Sequence, residues 1–274
     1  MYGSLSTRKK HLSRSRPVFV SSSVTSESHV DTTPAGCAIQ GDCYVEWKKW
    51  YAADFGNVSN EESIYYEHEL KASGISSTRG LVVGEIGYGN GSFAGWVQAS
   101  GGRWVGREVI PALQTRAVSA GFATIAAGTT FAAISGPCSL DLVVAFDVIE
   151  HLDVDAIRSF LREAKTALKP GGLVLLRIPS GDSPFSLAIY NGDLTHRTLL
   201  GSSAVRQLAY EAGLEVRQIR APVLPITGYP TIRVFRRAVV RVARSVACGF
   251  IREILMGNDT AVLSPNMIAV LRRI

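Results

Sequence analysis

The chain has 274 residues, 46% of them hydrophobic, which is enough for one enzyme-sized domain with a substantial core. Its net charge of +6 is concentrated at the two ends, because residues 1–16 contribute +5 and residues 233–274 contribute +6, which leaves the intervening body acidic. A nucleic-acid-binding protein is expected to carry positive charge around its substrate crevice, so we expect no nucleic-acid partner.

The cysteines give no sign of a metal site or of a disulfide framework. They are far apart in the sequence, with no Cys-x-x-Cys pair and no neighbouring histidine, and they are Cys37, Cys43, Cys138 and Cys248. We therefore expect no metal and a reducing compartment, the cytoplasm.

Residues 1–43 form a basic segment rich in Ser and Thr without an apolar period, and we expect this tail to be disordered. An organellar targeting segment is the alternative, since no acid precedes Glu27. Residues 44–78 differ in kind, because an aromatic group around Trp47 and Trp50 is followed by a capping box of Ser59 and Glu62. This segment is interpreted either as a helical lid over a binding crevice or as a helix pair that packs on the sheet edge.

Residues 79–274 alternate between strands and helices with short connections. The predicted strands are 81–86, 103–109, 122–126, 141–147, 173–178, 214–220 and 267–271. The first predicted helix follows the first strand and holds Phe93, Trp96 and Val97 on one face. The others begin at Pro111, after the N-cap Asp153 and near 203, and Lys169-Pro170-Gly171-Gly172 is expected to end the third helix. Such alternation predicts an α/β, doubly wound, mostly parallel sheet with helices on both faces, and it places the carboxyl ends of the strands at one edge.

Two motifs lie at that edge. The sequence EIGYGNG at residues 85–91 begins with Glu85 and places Gly87, Gly89 and Gly91 at alternate positions, where they tolerate positive φ and allow a ligand close to the backbone. Glu108 ends the second strand, 21 residues beyond Gly87, where an acid binds ribose hydroxyls in nucleotide-binding sheets.

The second motif is AFDVIEHL at residues 145–152, which ends an apolar run with Asp147, Glu150 and His151. Together the two motifs resemble the binding and catalytic edge of class I S-adenosylmethionine-dependent methyltransferases. A nicotinamide-binding fingerprint would need its third small residue at position 92, whereas the third glycine is Gly91, so the spacing favours S-adenosylmethionine.

The order of further motifs resembles bacterial methyltransferases of polysaccharide and O-antigen gene clusters. This likeness spans about residues 44–273 and includes Trp-x-x-Trp, Asp54-Phe55-Gly56, GREVIP, KPGG, GDSPF and NGDLTH. It implies a seven-stranded Rossmann-like sheet with an antiparallel last strand and S-adenosylmethionine as the cofactor.

The resemblance also implies roles for single residues. Glu85 and the glycines Gly87, Gly89 and Gly91 would face the methionine end of the cofactor, Glu108 would bind its ribose, and Asp147 would lie near the methionyl group. Arg107 departs from the pattern, because the residue before the ribose-binding acid is usually apolar. The segment after the third strand, which normally contacts adenine, lacks the usual acid.

Two histidines are candidate bases for a hydroxyl acceptor. His151 follows the fourth strand, where it either accepts a proton or braces the next helix. His196, with Asp193 three residues earlier, lies in the segment after the fifth strand, where methyltransferases usually build the acceptor pocket; the alternative is a surface turn.

Residues 222–262 form an insertion before the last strand, and residues 231–256 within it predict a basic amphipathic helix. Phe235, Val239 and Val242 share one face of this helix, and Arg237 and Arg241 share the other. This pattern is typical of a peripheral membrane contact, and the alternative is a helix packed on the domain or on a second subunit; the oligomeric state stays open.

Three functions follow from these patterns. The favoured one is O-methylation of a glycan or lipid-linked sugar. The others are methylation of a soluble phenolic or quinone-like molecule, and a non-catalytic role in assembly by a methyltransferase-like protein.

Overall fold

The computed structural model describes residues 40–51, 54–226, 229, 231–255 and 261–274. Within these residues one sheet contains the strands β1 (Val82–Ile86), β2 (Arg103–Arg107), β3 (Thr124–Ile125), β4 (Leu140–Phe146), β5 (Leu168–Pro179), β6 (Leu214–Arg220) and β7 (Asn266–Arg273). Their order is β3-β2-β1-β4-β5-β7-β6, and β7 runs antiparallel to both of its neighbours. The predicted Rossmann-like, mostly parallel seven-stranded fold is confirmed.

Helices cover both faces of this sheet. The α-helices are α1 (Gln40–Trp47), α2 (Asn60–Ala72), α3 (Ser92–Ala99), α4 (Pro111–Ser119), α5 (Phe131–Ser135), α6 (Val154–Ala167), α7 (Leu187–Tyr190), α8 (Ser202–Ala212) and α9 (Thr231–Leu255). Residues of α1 to α4 form one buried apolar cluster with the sheet, and residues of α5, α6 and α8 form the other. Burial of each large side chain contributes about 1.5–3 kcal/mol, so the two clusters fix the sheet between its helices.

Local signals account for the ends of several helices. Ser59 caps α2, and the Glu62 side chain accepts from the Ser59 backbone amide in return, as the capping box predicts. Asp153 caps α6 by accepting a hydrogen bond from the Ala156 amide at 2.8 Å. The apolar face of α6 is buried, with Ile157 fully enclosed.

The start of β5 differs from the prediction. Residues 169–172 were expected to lie between a helix and a strand that begins at residue 173, but the strand already begins at Leu168. The ladder between β4 and β5 shifts its register between Leu140 and Leu142, and Gly171 has a φ of +79°. The Pro-Gly-Gly sequence therefore forms an irregularity within the strand, which is the place where sheets tolerate proline and glycine.

The N-terminal helical segment begins earlier in the chain than predicted. Helix α1 begins at Gln40, inside the segment predicted as a disordered tail, and the rest of that tail lies outside the described residues.

Cys43 is disulfide-bonded, which corrects the expectation drawn from the wide spacing of the cysteines, whereas Cys138 and Cys248 are free.

Helix α9 leaves its apolar face in solvent. None of its side chains is fully buried, and the predicted apolar stripe is exposed, with Phe235 at 72% and Val246 at 68%. The opposite, arginine-bearing side faces the rest of the domain, where Arg237 donates to the Pro225 carbonyl at 3.1 Å. Among the described residues no helix has the length and hydropathy needed to cross a bilayer.

Strand register brings the two motifs to one edge. Ile86 is level with Arg107 on one side and with Ala145 on the other. The residues that follow these strand ends, Gly87, Glu108 and Asp147, therefore come out at similar heights at the carboxyl edge of the sheet.

Candidate active site

A cavity of about 720 Å³ opens at the carboxyl edge of the sheet, and we call it the strand-end cavity. Its volume lies in the range that small-molecule sites occupy. Gly87 and Glu108 line it, and so do His151 and Thr195, while Asp147 lies between these two pairs in the chain and also lines the cavity.

The first wall, Gly87 to Gly91 together with Glu108, is called the glycine-rich side. Gly87 has a φ of +62°, and a Cβ atom there would lie 2.6 Å from the Val148 side chain. Gly91 has a φ of +76°, and its Cβ would lie 2.3 Å from the Phe55 ring. Both glycines are therefore required by backbone conformation and by close packing, and the turn leaves bare backbone beside the cavity.

Glu108 is 5% exposed and is held by three backbone amides. One carboxylate oxygen accepts from Val109 at 2.7 Å and from Ile110 at 3.2 Å, and the other accepts from Gly89 at 3.2 Å. Burial raises the pKa of Glu108 above its usual range, although these three hydrogen bonds oppose the shift. The carboxylate is thus fixed at the cavity wall, with lone pairs left to accept hydrogen bonds from a ligand's hydroxyls.

Glu85 lies beneath the glycine-rich side. It is 4% exposed, and the indole nitrogen of Trp104 donates to its carboxylate at 2.8 Å. Burial raises the pKa of Glu85 to about 8, against the opposing effect of the Trp104 hydrogen bond and with a smaller contribution from Glu108.

Asp147 is held in a strained backbone conformation. It is a non-glycine residue with a φ of +56°, and its carboxylate pairs with the Arg177 guanidinium at 2.5 Å. The salt bridge directs the Asp147 side chain at the junction of β4 and β5, where it borders the cavity.

Arg107, the departure from the family pattern, borders the same cavity. Its guanidinium donates to both carboxylate oxygens of Glu163 and to the Thr129 carbonyl, each at 2.8 Å. Arg107 therefore connects α6, through Glu163, to the loop after β3, through Thr129. This ion pair stands near the segment where no adenine-contacting acid could be named from the sequence.

The second wall is called the histidine side and consists of His151, Asp193, Thr195 and His196. The two imidazole rings lie with their centroids 4.6 Å apart, although 45 residues separate them in the chain. Nδ1 of His151 lies 2.8 Å from the Thr195 hydroxyl, and Nδ1 of His196 lies 2.7 Å from the Tyr190 carbonyl. Burial lowers the pKa of His151, and repulsion from His196 adds to the effect.

Asp193 stands behind this pair and is largely shielded from solvent. Its carboxylate accepts from the Thr195 hydroxyl at 2.6 Å, from the Tyr44 hydroxyl at 3.0 Å and from Lys48 at 3.1 Å. Burial alone would raise its pKa, but the hydrogen bonds from Thr195, Lys48 and Tyr44 outweigh burial and hold the pKa well below its usual range. Asp193 was predicted as a catalytic residue together with His196, and in the structure Thr195 lies between its carboxylate and the imidazole of His151.

Glu150 contributes a further buried carboxylate beside the histidines. It is 3% exposed, and burial, followed by repulsion from Asp147, raises its pKa to about 8. Among the described residues no hydrogen-bond partner reaches its Oε2 atom.

Helix α1 closes the histidine side. Tyr44 and Trp50 line the cavity, while Val45 of the same segment is fully buried in the core. The segment therefore borders the cavity and also packs into the core, and its role as a lid stays a prediction.

Sequence reasoning missed Tyr44, Lys48 and Thr195, all of which contact Asp193. Thr195 is part of the NGDLTH motif, so its position beside Asp193 and His196 was the available signal. Tyr44 and Lys48 lie about 150 residues from Asp193, and no local pattern connects them.

Comparison with known families matches residues 70–219 to a family described as a methyltransferase domain. That match covers more than half of the chain. No curated protein matches the chain.

Solved structures with the same fold are numerous and distant. A SAM-dependent methyltransferase from Archaeoglobus fulgidus superposes with a TM-score of 0.57 at 15% identity, over 84% of this chain and 99% of the other. An S-adenosylmethionine-dependent methyltransferase from Mesorhizobium loti has a TM-score of 0.51 at 13% identity, over 78% and 100% of the two chains. A TehB-like SAM-dependent methyltransferase from Corynebacterium glutamicum has a TM-score of 0.50 at 15% identity, over 85% and 98%. At these identities the likeness establishes the fold.

Proposed function

Because the chain belongs to the methyltransferase-domain family, we propose that it transfers a methyl group from S-adenosylmethionine to a hydroxyl group of a glycan or lipid-linked sugar. The single observation that carries this proposal is the strand-end cavity, which Glu108 and His151 both line. One wall suits a nucleoside and the other suits an acceptor that must lose a proton.

The glycine-rich side fits S-adenosylmethionine. Glu108 presents a fixed carboxylate that can accept hydrogen bonds from both ribose hydroxyls, and the bare backbone at Gly87 leaves room for the methionine end. Asp147, which lines the cavity, is assigned to the methionyl group of the cofactor, and Glu85, at the start of the motif, is assigned to support of the site around the amino group. When bound, the cofactor supplies a methyl group on a positively charged sulfur.

The histidine side performs the acid–base part of the reaction. The acceptor oxygen forms a bond to the methyl carbon, the carbon–sulfur bond breaks with its electron pair left on sulfur, and the hydroxyl proton passes to the imidazole of His151. The lowered pKa of His151 keeps this imidazole neutral, and therefore able to accept a proton, near neutral pH. Asp193 orients His151 through the Thr195 hydroxyl, and the His196 ring packs against the His151 ring.

Calorimetric titration tests the cofactor. S-adenosylmethionine and S-adenosylhomocysteine are expected to bind to the full chain with micromolar affinity, and NADH is expected not to bind. Binding of NADH alone would contradict the assignment of the glycine-rich side.

Helix α9 supports an acceptor that is carried on a lipid. Its 25 residues extend over about 37 Å, and the exposed apolar stripe runs along its solvent side. Lys71, Arg241 and Arg244 line a second cavity, of about 790 Å³, between the helix and the rest of the domain. An exposed apolar stripe of this length fits the surface of a bilayer, while the arginines on the opposite side of the helix face the domain.

Vesicle flotation tests this contact. The wild-type chain is expected to float with vesicles that contain anionic lipid, and the triple variant Phe235→Ser, Val239→Ser and Val242→Ser is expected not to. Since all three side chains are exposed, the variant should keep the wild-type free energy of unfolding to within about 0.5 kcal/mol per substitution. Equal flotation of both proteins would contradict the membrane contact.

A labelling assay identifies the acceptor class. With methyl-labelled S-adenosylmethionine, label is expected in an organic-extractable saccharide fraction, and acid hydrolysis is expected to release an O-methyl sugar. Label confined to a soluble phenolic fraction would favour the small-molecule alternative. Cofactor binding without transfer to any fraction would favour the assembly role.

A further inference from the structure

We propose that Glu150, His151 and His196 bind a divalent transition-metal ion beside the strand-end cavity. One ligand atom from each residue lies within 4.8 Å of the others, so a small movement of the side chains would bring all three around one ion. The sequence predicted no metal, because that inference rested on cysteine spacing, and this cluster forms only when the loop after α7 folds against the end of β4.

The hydrogen bonds of His196 leave one of its nitrogens available as a ligand. Its Nδ1 atom lies 2.7 Å from the Tyr190 carbonyl, and a carbonyl oxygen can only accept. Nδ1 therefore carries the hydrogen, and Nε2 has a free lone pair.

The hydrogen bonds of His151 also decide which of its nitrogens carries the hydrogen, here through the Thr195 hydroxyl. The Thr195 hydroxyl donates its single hydrogen to the Asp193 carboxylate at 2.6 Å, so it accepts from Nδ1 of His151 at 2.8 Å. Nε2 of His151 is again the nitrogen with the free lone pair. Metal-binding histidines typically donate their other N–H to a carbonyl or to a carboxylate-linked group, which is the arrangement found at both rings.

Glu150 supplies the third ligand. Its side chain also indicates, independently of the histidines, that a cation binds here. It is 3% exposed, and its Oε2 atom has no hydrogen-bond partner among the described residues. A buried carboxylate oxygen without a partner is costly, and coordination to a cation would satisfy it.

The donor set selects the class of ion. Two imidazoles and one carboxylate suit zinc, iron and neighbouring transition metals, whereas magnesium and calcium are bound mainly by oxygen. Three protein ligands leave at least one coordination position open, as in catalytic zinc sites. Because His151 lines the cavity, the open position faces the space assigned to the acceptor.

The consequence for the reaction rests on the proposed function. An acceptor hydroxyl bound at the open position would have a lowered pKa and would release its proton to solvent water. Its oxygen would then form the bond to the methyl carbon while the carbon–sulfur electron pair remains on sulfur. With the ion bound, His151 therefore holds the group that activates the acceptor, and it takes the proton directly only in the metal-free protein.

Titration of the full, tag-free chain with Co²⁺ tests the site. One Co²⁺ per chain is expected, with a visible absorption band that reports imidazole and carboxylate coordination. The substitutions His196→Gln and Glu150→Gln should each weaken binding at least about 100-fold, because they remove a ligand. The matched control is His68→Gln on α2, which should bind Co²⁺ like the wild type.

A further variant guards against misfolding. Thr195→Val removes no ligand and no buried charge, and it should weaken Co²⁺ binding about 10–100-fold by releasing the His151 ring. The absence of saturable binding, or equal binding by the ligand variants and the wild type, would overturn the site. S-adenosylmethionine is titrated into the same preparations: cofactor binding without Co²⁺ binding overturns the metal site alone, and ligand-dependent Co²⁺ binding without cofactor binding supports the site and contradicts the proposed function.

Discussion

The two walls of the strand-end cavity are built in different ways. On the glycine-rich side, the carboxylate of Glu108 is held by backbone amides that lie 1, 2 and 19 residues away in the chain. On the histidine side, His151 depends on Thr195, 44 residues away, and Asp193 depends on Tyr44, 149 residues away. The first wall is thus a local property of two strand ends, and the second wall exists only when three distant segments are assembled.

The largest expected effect tests the histidine side at its centre. Replacing His151 by Gln removes the group that activates the acceptor, so we expect the single-turnover rate to fall by about 10²–10⁴-fold. The dissociation constant of S-adenosylmethionine should stay at its wild-type value, because the glycine-rich side is untouched. A rate within twofold of the wild type would show that the histidines serve packing alone.

The next effect tests the glycine-rich side. Replacing Glu108 by Ala removes two charge-assisted hydrogen bonds to the ribose, each worth about 1.5–3 kcal/mol, so cofactor affinity should fall at least about 100-fold by calorimetry. Glu67→Gln on the exposed side of α2 is the matched control and should bind like the wild type. Unchanged affinity of the Glu108 variant would place the ribose elsewhere.

A smaller effect is expected for Thr195, which connects Asp193 to His151 on the histidine side. Replacing Thr195 by Val interrupts the chain of hydrogen bonds from Asp193 to His151, and the transfer rate should fall about 10–100-fold. Thr195→Ser keeps the hydroxyl and should restore most of the rate. If serine does not rescue, the side-chain volume of Thr195 matters more than its hydrogen bond.

The contrast between the walls explains what could be predicted from sequence. Gly87, Gly91 and Glu108 follow strands whose apolar runs are visible in the chain, so strand register alone brings them together. His151 and His196 were each identified as candidates, but their contact was not, because no local rule fixes the path of the loop after β5. Tyr44 was missed for the same reason.

The features of the fold that were predicted wrongly, or not at all, also depend on distant parts of the chain. The early start of β5 depends on a register shift against β4, which is a long-range pairing, while the propensities of Pro170 and Gly171 favour a turn. In α9 the amphipathic pattern was read correctly, but which face would meet the domain could not be read from periodicity.

The last prediction concerns stability instead of rate or affinity, and it tests the buried carboxylate of Glu85, which precedes the glycine-rich side. Burial raises the pKa of Glu85 to about 8, so the folded state takes up a proton that the unfolded state releases near pH 4.5. The stability that this proton contributes is therefore fully present below pH 4.5 and is lost as the pH rises to 8, at up to about 1.4 kcal/mol per pH unit. Urea unfolding of the cofactor-free protein should show this slope, and Glu85→Gln should reduce it between pH 5 and 8. An identical slope in both proteins would mean that Glu85 is ionised throughout this range.

The order of the strands also dictates the sequence in which the sheet can be completed during synthesis. β6 is joined to the sheet through β7 alone, and β7 is the last of the described strands to leave the ribosome. Until residues 266–273 emerge, β5 presents an unpaired edge and β6 has no partner, although every residue of both walls of the cavity has already been made. The nascent chain therefore contains every residue of both sides of the cavity before its sheet is complete. The sheet can be completed only when these eight residues emerge.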